Sequence, residues 1–384
     1  MSGLRVALVA GEMSGDILGG AIVSAIKARR PDAQCYGVAG ARMVAAGCEP
    51  IESIEALSVM GLAEVLRELP RLVRLRRQLV GRLAADRPHV VVGIDAPDFN
   101  LGLEMRLRAQ GLRTVHVVSP TIWAWRAGRV HTIARAVDRM LCLFPFEPPL
   151  YAAHGVRADF IGHPLADELD DSIDAAQARV ALGVDAQTAV VAVMPGSRAS
   201  EIRYLAPTFA RTVALLAAQM PKLKFLTPVA KPSLRAGIEA AVAMHAPHAD
   251  WRLIDGQSRM VMRAADAVLL ASGTAALECL LLGRPMVVAY QGSPLTAFLL
   301  LRLGLLKTRY VSLPNLLATE AVVPELLQAA AQPRRLADEV GRLLADTTAR
   351  QRQLDQFSAV RAVLRRNAGV RAADAILEVA AGVR

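Results

Sequence analysis

The sequence predicts an α/β protein of two domains, each a parallel sheet with crossover helices. Short apolar runs alternate along the whole chain with segments of helical period, the pattern left when strands buried on both faces are joined by helices. At 384 residues the chain exceeds the ~250–300 at which a single hydrophobic core usually stops growing. A polar stretch with a proline, Gly162-His163-Pro164-Leu165-Ala166-Asp167, followed by acidic residues to Asp174, separates two ordered patterns.

In the first domain, residues 1–166, strands are expected at Arg5–Ala10, Cys35–Ala39, His89–Asp95, Thr114–Ser119, Met140–Phe144 and Asp159–Gly162. The first helix is expected from about Gly15 to Arg29. Its apolar residues Ile17, Leu18, Ala21, Ile22, Ala25 and Ile26 make one stripe, and Pro31 ends it. The second domain, residues 167–346, repeats the pattern, with strands expected at Val190–Met194, Lys224–Pro228, Trp251–Ile254, Ala267–Ala271, Met286–Ala289 and Tyr310–Ser312. From Thr347 to Val383 the chain reads as helix throughout, a tail expected to fold back on the first domain.

Composition narrows the class. Hydrophobic residues make up 53% of the chain, which excludes intrinsic disorder. No apolar stretch reaches the ~18 residues of a membrane-spanning helix; the nearest, Leu295 to Leu306, contains Arg302. The first residues carry no signal-peptide pattern, so a cytoplasmic protein is expected. Cys35, Cys48, Cys142 and Cys279 lie far apart in apolar segments, which reads as buried thiols rather than disulfides or a zinc site. The net charge of +10 suggests an acidic partner, although only five of the 45 basic residues are lysine and such a skew also arises from genome composition. Aromatic and basic residues do not interleave as in single-strand binders, so no nucleic-acid partner is expected.

Ligands of open parallel sheets bind beyond the carboxyl ends of the strands, so the chemistry is sought in the loops after the apolar runs. In Ala10-Gly11-Glu12-Met13-Ser14-Gly15-Asp16 the glycines allow close backbone approach, and Ser14 can cap a helix whose amino end attracts anions. A dinucleotide site fits poorly, because the G-x-G-x-x-G spacing is absent and strand two leads to Val38-Ala39-Gly40-Ala41 instead of an acidic ribose ligand. In Met194-Pro195-Gly196-Ser197-Arg198-Ala199-Ser200-Glu201, glycine, hydroxyl and arginine emerge together where a helix starts. That makes a phosphate cradle with Arg198 as clamp, or a capped turn in which Arg198 pairs with Glu201. In Ala271-Ser272-Gly273-Thr274-Ala275-Ala276-Leu277-Glu278, small residues leave the first helical amides open to a diphosphate, and Glu278 stands one turn in, either on ribose hydroxyls or in solvent.

The fourth loop, Gly93-Ile94-Asp95-Ala96-Pro97-Asp98-Phe99-Asn100, carries two carboxylates. Asp98 or Asn100 can cap the next helix and Asp95 can be held by backbone amides, yet a carboxylate in a cleft can also take the proton of an attacking hydroxyl. From Met60 to Leu83, Leu62, Val65, Leu66, Leu69, Leu72, Val73, Leu79, Val80 and Leu83 are helix-periodic, with Arg67, Arg71 and Arg74 beside them. This suits an anionic membrane interface or a crossover helix packed on its sheet. Trp123 and Trp125, two of only three tryptophans, suggest an acceptor pocket. The histidines show no metal-ligand spacing, so neither metal nor cofactor is expected.

Together "GEMSGD", "GIDAPDFN", "SPTIWAWR", "FIGHPLAD", "MPGSRASE", "ASGTAALE" and "YVSLPNLLA" resemble, in order and spacing over nearly the whole chain, the lipid A disaccharide synthases, bacterial inverting glycosyltransferases. Seven ordered segments are far more specific than any one. The resemblance implies the GT-B architecture, two Rossmann-like lobes facing a cleft, and action at the cytoplasmic face of the inner membrane. It further implies joining of UDP-2,3-diacylglucosamine to 2,3-diacylglucosamine 1-phosphate (lipid X), giving the β-1′,6 disaccharide and UDP. By that similarity Asp98 is the base, Asp95 a supporting or rival carboxylate, and Ser197, Arg198, Gly273 and Thr274 the diphosphate seat. Glu278 would hold the ribose, Asn315 would lie near the nucleotide, and Ser14 and Gly15 would approach the diphosphate or acceptor phosphate. Trp123, Trp125, Leu66, Leu69, Leu72 and Arg71 would meet acceptor or lipid, and a homodimer is compatible with the pattern. Met13 stands where the family usually has a small residue or threonine, and Thr121-Ile122 where Ser-Val is common. The alternative is a GT-B enzyme on a soluble UDP-sugar, such as a UDP-N-acetylglucosamine epimerase, which would not need the amphipathic segment.

Overall fold

A computed structural model describes residues 3–57, 62–123, 127–170, 172–292 and 310–382, without the side chains of 62–67 and 127. The chain divides into two units, Met1–Asp167 with Leu364–Arg384, and Glu168–Val363. In the first, β1 (Arg5–Ala10), β2 (Gln34–Ala39), β3 (Cys48–Ser53), β4 (Val90–Ile94), β5 (Thr114–Val117), β6 (Arg139–Cys142) and β7 (Arg157–Phe160) form a sheet in the order β3-β2-β1-β4-β5-β6-β7. In the second, β8 (Val190–Met194), β9 (Lys224–Val229), β10 (Trp251–Asp255), β11 (Ala267–Ala271), β12 (Met286–Tyr290) and β13 (Glu325–Leu327) run in the order β10-β9-β8-β11-β12-β13. The pairings in both sheets are parallel. Central strands such as Val90-Val91-Val92-Gly93-Ile94 are buried along their whole length because helices cover both faces, which is why they read as unbroken apolar runs.

Helix α1 (Met13–Arg29) packs beside the helix Ala368–Ala381 on this first sheet, and both contribute to one core with Val6, Leu8, Val92 and Ile94. A Cβ at Gly369 would stand 2.7 Å from the Ala21 Cβ, so glycine sets the spacing there. Asp16, 2% exposed, accepts hydrogen bonds from the amides of Gly40 (2.9 Å), Arg42 (2.9 Å) and Met43 (3.0 Å), tying α1 to the start of α2 (Ala41–Ala45). Helix α3 (Leu62–Asp86) divides its apolar stripe: Leu79 and Leu83 are buried against Leu103 and Leu107 of α4 (Pro97–Arg108), whereas Leu69 is 49% exposed. All four cysteines are buried free thiols.

Three sequence expectations are corrected. The edge strand β3 was not expected, because Cys48-Glu49-Pro50-Ile51-Glu52-Ser53 carries the charges and proline that edge strands use to stay unpaired on one side. Tyr310–Ser312 is not a strand; the Glu325 carboxylate takes the amides of Val311 and Ser312, and β13 itself closes the sheet. The tail is not one helix returning at 347. Residues 347–363 belong to the second unit, where Gln353 donates to the Met286 carbonyl and accepts from its amide, and the return begins at Leu364. The break falls at Asn367, whose φ of 56° no continuing helix can accommodate.

Candidate active site

In each sheet the strand order reverses beside its first strand: β1 lies between β2 and β4, and β8 between β9 and β11. The loops leaving such neighbours turn to opposite sides and leave an open crevice at their carboxyl ends.

In the first unit this reversal joins two of the quoted loops. Ala10 pairs with Ile94, and the Gly11 amide donates to the Ile94 carbonyl at 3.4 Å. A Cβ on Gly11 would stand 2.1 Å from the Ala96 Cβ, so only glycine fits where the loops touch. Asp95 (φ 56°) and Ala96 (φ 43°) are consecutive left-handed residues, each strained by about 1–3 kcal/mol. This turn ends β4 so abruptly that Ala96 is the helix N-cap, which corrects the expected capping by Asp98 or Asn100.

Asp95 is half-buried. One of its carboxyl oxygens accepts from the Ala96 amide (2.9 Å), the other from Ser14 Oγ (3.4 Å). Ser14 therefore braces Asp95 and does not cap α1, whose N-cap is Glu12. Burial, and then the Asp95 charge, push the Glu12 carboxyl above its ordinary range. Gly15 is buried against the sheet; a Cβ there would sit 3.3 Å from the Ile94 carbonyl oxygen. Asp98, in the first turn of α4, is 80% exposed and pairs with Arg129. No local pattern points to Arg129, which lies 31 residues away.

Elsewhere in this unit, Trp123 is half-buried with its ring edge-on to Phe146 at 5.4 Å, and Phe146 stacks on Phe144 at 5.6 Å. The Phe144 ring lies 5.4 Å from that of His163, which burial pushes down to about 4. Burial raises the neighbouring Glu147 to about 7 against the opposing hydrogen bond its carboxylate accepts from the Phe144 amide (3.0 Å). Glu147, like Asn100, looked in the sequence like any polar residue beside a proline or a helix start; only burial distinguishes it. Trp125 lies outside the described residues, as do the Leu66 side chain and the whole apolar segment 295–306.

In the second unit the loops after β8 and β11 enclose a cavity of about 440 Å³ lined by Gly196, Ser197, Arg198, Glu201, Gly273, Thr274 and Glu278, among others. Of the eight residues expected to bind UDP-sugar, two lie in the loops of unit one (Ser14, Gly15) and five line this cavity (Ser197, Arg198, Gly273, Thr274, Glu278). Glu201 accepts from the Ser197 amide (2.8 Å), the Arg198 amide (3.2 Å) and the Arg198 guanidinium (2.8 Å), so the cradle is drawn around a carboxylate. Arg198 remains 78% exposed. Glu278 is partly buried rather than solvated, and accepts from Arg259 (3.1 Å), a partner that sequence reading missed.

Asn315 does not line this cavity. It is 4% exposed, its amide donates to Val323 and Glu325 and accepts from the amides of Val322 and Val323, so it frames the loop before β13. Leu72 is half-buried, and Arg71 is bound to Glu68 and the Ala56 carbonyl (2.8 Å). Among the described residues no helix is long and apolar enough to cross a membrane, and no group of three or more His, Cys, Asp or Glu residues could hold a metal ion.

The family described as lipid-A-disaccharide synthetase matches residues 6–379. A lipid-A-disaccharide synthase of Chromohalobacter salexigens is 51% identical over 373 residues, covering 97% of this chain and 96% of its own. That of Pseudomonas aeruginosa is 49% identical over 377 residues, covering 98% of each. Among solved structures, the glycotransferase of kitacinnamycin superposes with a TM-score of 0.63 at 19% identity, covering 99% of this chain and 100% of its own, a likeness of fold.

Proposed function

The chain belongs to the lipid-A-disaccharide synthase family and is a glycosyltransferase of lipid A synthesis with the GT-B fold, and from that premise we propose how its residues divide the reaction. The donor is UDP-2,3-diacylglucosamine and the acceptor lipid X. Asp98 takes the proton of the acceptor 6-hydroxyl as that oxygen attacks the anomeric carbon, and the bond to UDP breaks with its electron pair leaving on the diphosphate. Attack from the face opposite UDP inverts the anomeric centre. The main electrostatic task is to stabilise the leaving diphosphate.

The observation that carries this reading is the cavity after β8 and β11, where amides and an exposed guanidinium already converge on an anionic group, the Glu201 carboxylate. The UDP diphosphate takes that place, with Arg198 and Ser197 from one loop and Gly273 and Thr274 from the other; Glu278, steadied by Arg259, faces the ribose. Asn315 acts indirectly, by shaping its loop. Ser14 and Gly15 serve the first unit's turn. Arg198→Ala is expected to weaken UDP binding at least about tenfold in calorimetry, the worth of one charge-assisted contact. Unchanged affinity in the folded variant would remove Arg198 from the seat.

The first unit receives the acceptor and its acyl chains, with Trp123, Trp125, Leu66, Leu69, Leu72 and Arg71 nearest the lipid. The protein acts as a peripheral enzyme on the anionic inner membrane, facing the cytoplasm, and a homodimer accords with this. Leu69 supports the reading, since it is exposed on a helix whose later leucines are buried. The double variant Leu69→Ser, Leu72→Ser is expected to lose most binding to anionic liposomes in sedimentation with its melting temperature nearly unchanged. Retained binding, or collapse of the fold, assigns these leucines to the core instead.

A further inference from the structure

We infer that Asn100 is a positioning residue, the tether that holds the left-handed Asp95-Ala96 turn and, through it, the Asp98 carboxylate. The inference rests on the reading of Asp98 as the base. Asn100 is fully buried, and its Nδ2 faces three carbonyl oxygens, those of Val9 (3.1 Å), Ile94 (3.3 Å) and Asp95 (2.8 Å). Three acceptors around one nitrogen leave no other orientation for the amide. One side chain thus joins β1, the end of β4 and the strained turn itself.

Packing does not call for a polar group there. Leu101, Leu103 and Leu107 on the same helix are buried apolar residues, and among the described residues the Asn100 Oδ1 has no partner. That orphaned acceptor costs free energy, which the contacts of Nδ2 offset, and leucine would leave three carbonyls short of their donor. What leucine lacks is the donor. Aspartate would present oxygens to oxygens.

The rest of the helix face keeps room for this tether. A Cβ on Gly93 would lie 2.9 Å from the Asn100 Cβ and 2.1 Å from Glu104 Oε1, so Gly93 makes space for both. Glu104 in turn is hydrogen-bonded to His116 (2.8 Å), both fully buried, which anchors α4 to β5 directly below. Two consecutive non-glycine residues with positive φ persist only where their surroundings over-determine them. Ser14 holds the Asp95 carboxylate and the Val117 carbonyl its amide; among the described residues Asn100 alone takes its carbonyl by a side-chain donor and ties it to both strands. Without it the turn can relax, and the first turn of α4, with Asp98 on it, moves.

The test uses the full-length chain with Asn100→Leu, Asn100→Asp and the pair Asn100→Leu, Ala96→Gly, each measured for melting temperature, kcat and KM. The folded Asn100 variants are expected to lose at least about 30-fold in kcat with donor KM within about twofold. Glycine at 96 accepts positive φ without strain, so the pair should recover at least about fivefold of the loss. In a double-mutant cycle, Asp98→Asn should cost at least tenfold less in the Asn100→Asp background than in the parent, since the two act as one unit. A folded Asn100 variant with kcat within about threefold of the parent, or multiplicative effects in the cycle, overturns the inference. So does failure of all three variants to fold, which would make Asn100 a stability residue. If Asp98→Asn alone leaves turnover intact, the assignment of the base has failed instead.

Discussion

Asparagine in place of Asp98 is expected to lower turnover by roughly 10²–10⁴-fold while leaving UDP affinity within about twofold. The substitution keeps size and shape and removes basicity. Asp98 is suited to the task because it is 80% exposed and held by one charged partner, Arg129, so oxygen lone pairs remain to meet a hydroxyl. Asp95 differs: both of its carboxyl oxygens are engaged, by the Ala96 amide and Ser14. Asp95→Asn should therefore cost less in turnover, and more of that cost should vanish when Ser14 is replaced as well. Steady-state rates with both acylated sugars, alongside UDP calorimetry, decide it. A larger loss at Asp95 than at Asp98 would exchange the two roles.

Glu147→Gln is expected to stabilise the protein by about 3 kcal/mol at pH 8 and to have almost no effect at pH 4, each raised pKa unit being worth about 1.4 kcal/mol. Burial holds the Glu147 carboxyl at about 7, above its ordinary 4.5. Between these values the unfolded chain ionises Glu147 and the folded chain does not. Stability is therefore complete below the lower value, falls as pH rises towards 7, and stays reduced above it. Glutamine is neutral throughout and its carbonyl can still accept from the Phe144 amide. His163 works in the opposite sense, since burial depresses it to about 4 from 6.5 and its contribution is lost as pH falls through that interval. Melting curves at the two pH values are the measurement. An equal gain at pH 4 would mean that packing, not titration, separates the two side chains.

The candidate loops were legible because strands buried on both faces leave unbroken apolar runs, and those loops begin where the runs stop. "GEMSGD", "GIDAPDFN", "MPGSRASE" and "ASGTAALE" each follow a central strand, β1, β4, β8 and β11. Ser14, Asp98, Arg259 and Asn315 mark the limit. A serine near a helix start reads as a cap, yet it braces Asp95; the resemblance sets Asn315 near the nucleotide, yet its hydrogen bonds go to Val322, Val323 and Glu325. Arg259, 19 residues before Glu278, leaves no local trace of their pairing.

The sequence by itself determined the α/β class, the two-domain division near residue 167 and the family, because burial on two faces, chain length and ordered motifs are all written along one dimension. Only the tertiary structure decided which loops meet. Strand order sets β1 against β4 and β8 against β11, bringing Gly11 to Ala96 and Ser197 into one cavity wall with Gly273, although each pair lies more than 70 residues apart. The same folding decided which carboxylates are buried, as Glu147 is, and which remain open, as Asp98 does. Solvation and hydrogen-bond partners are properties of neighbours in space, and no local pattern specifies them.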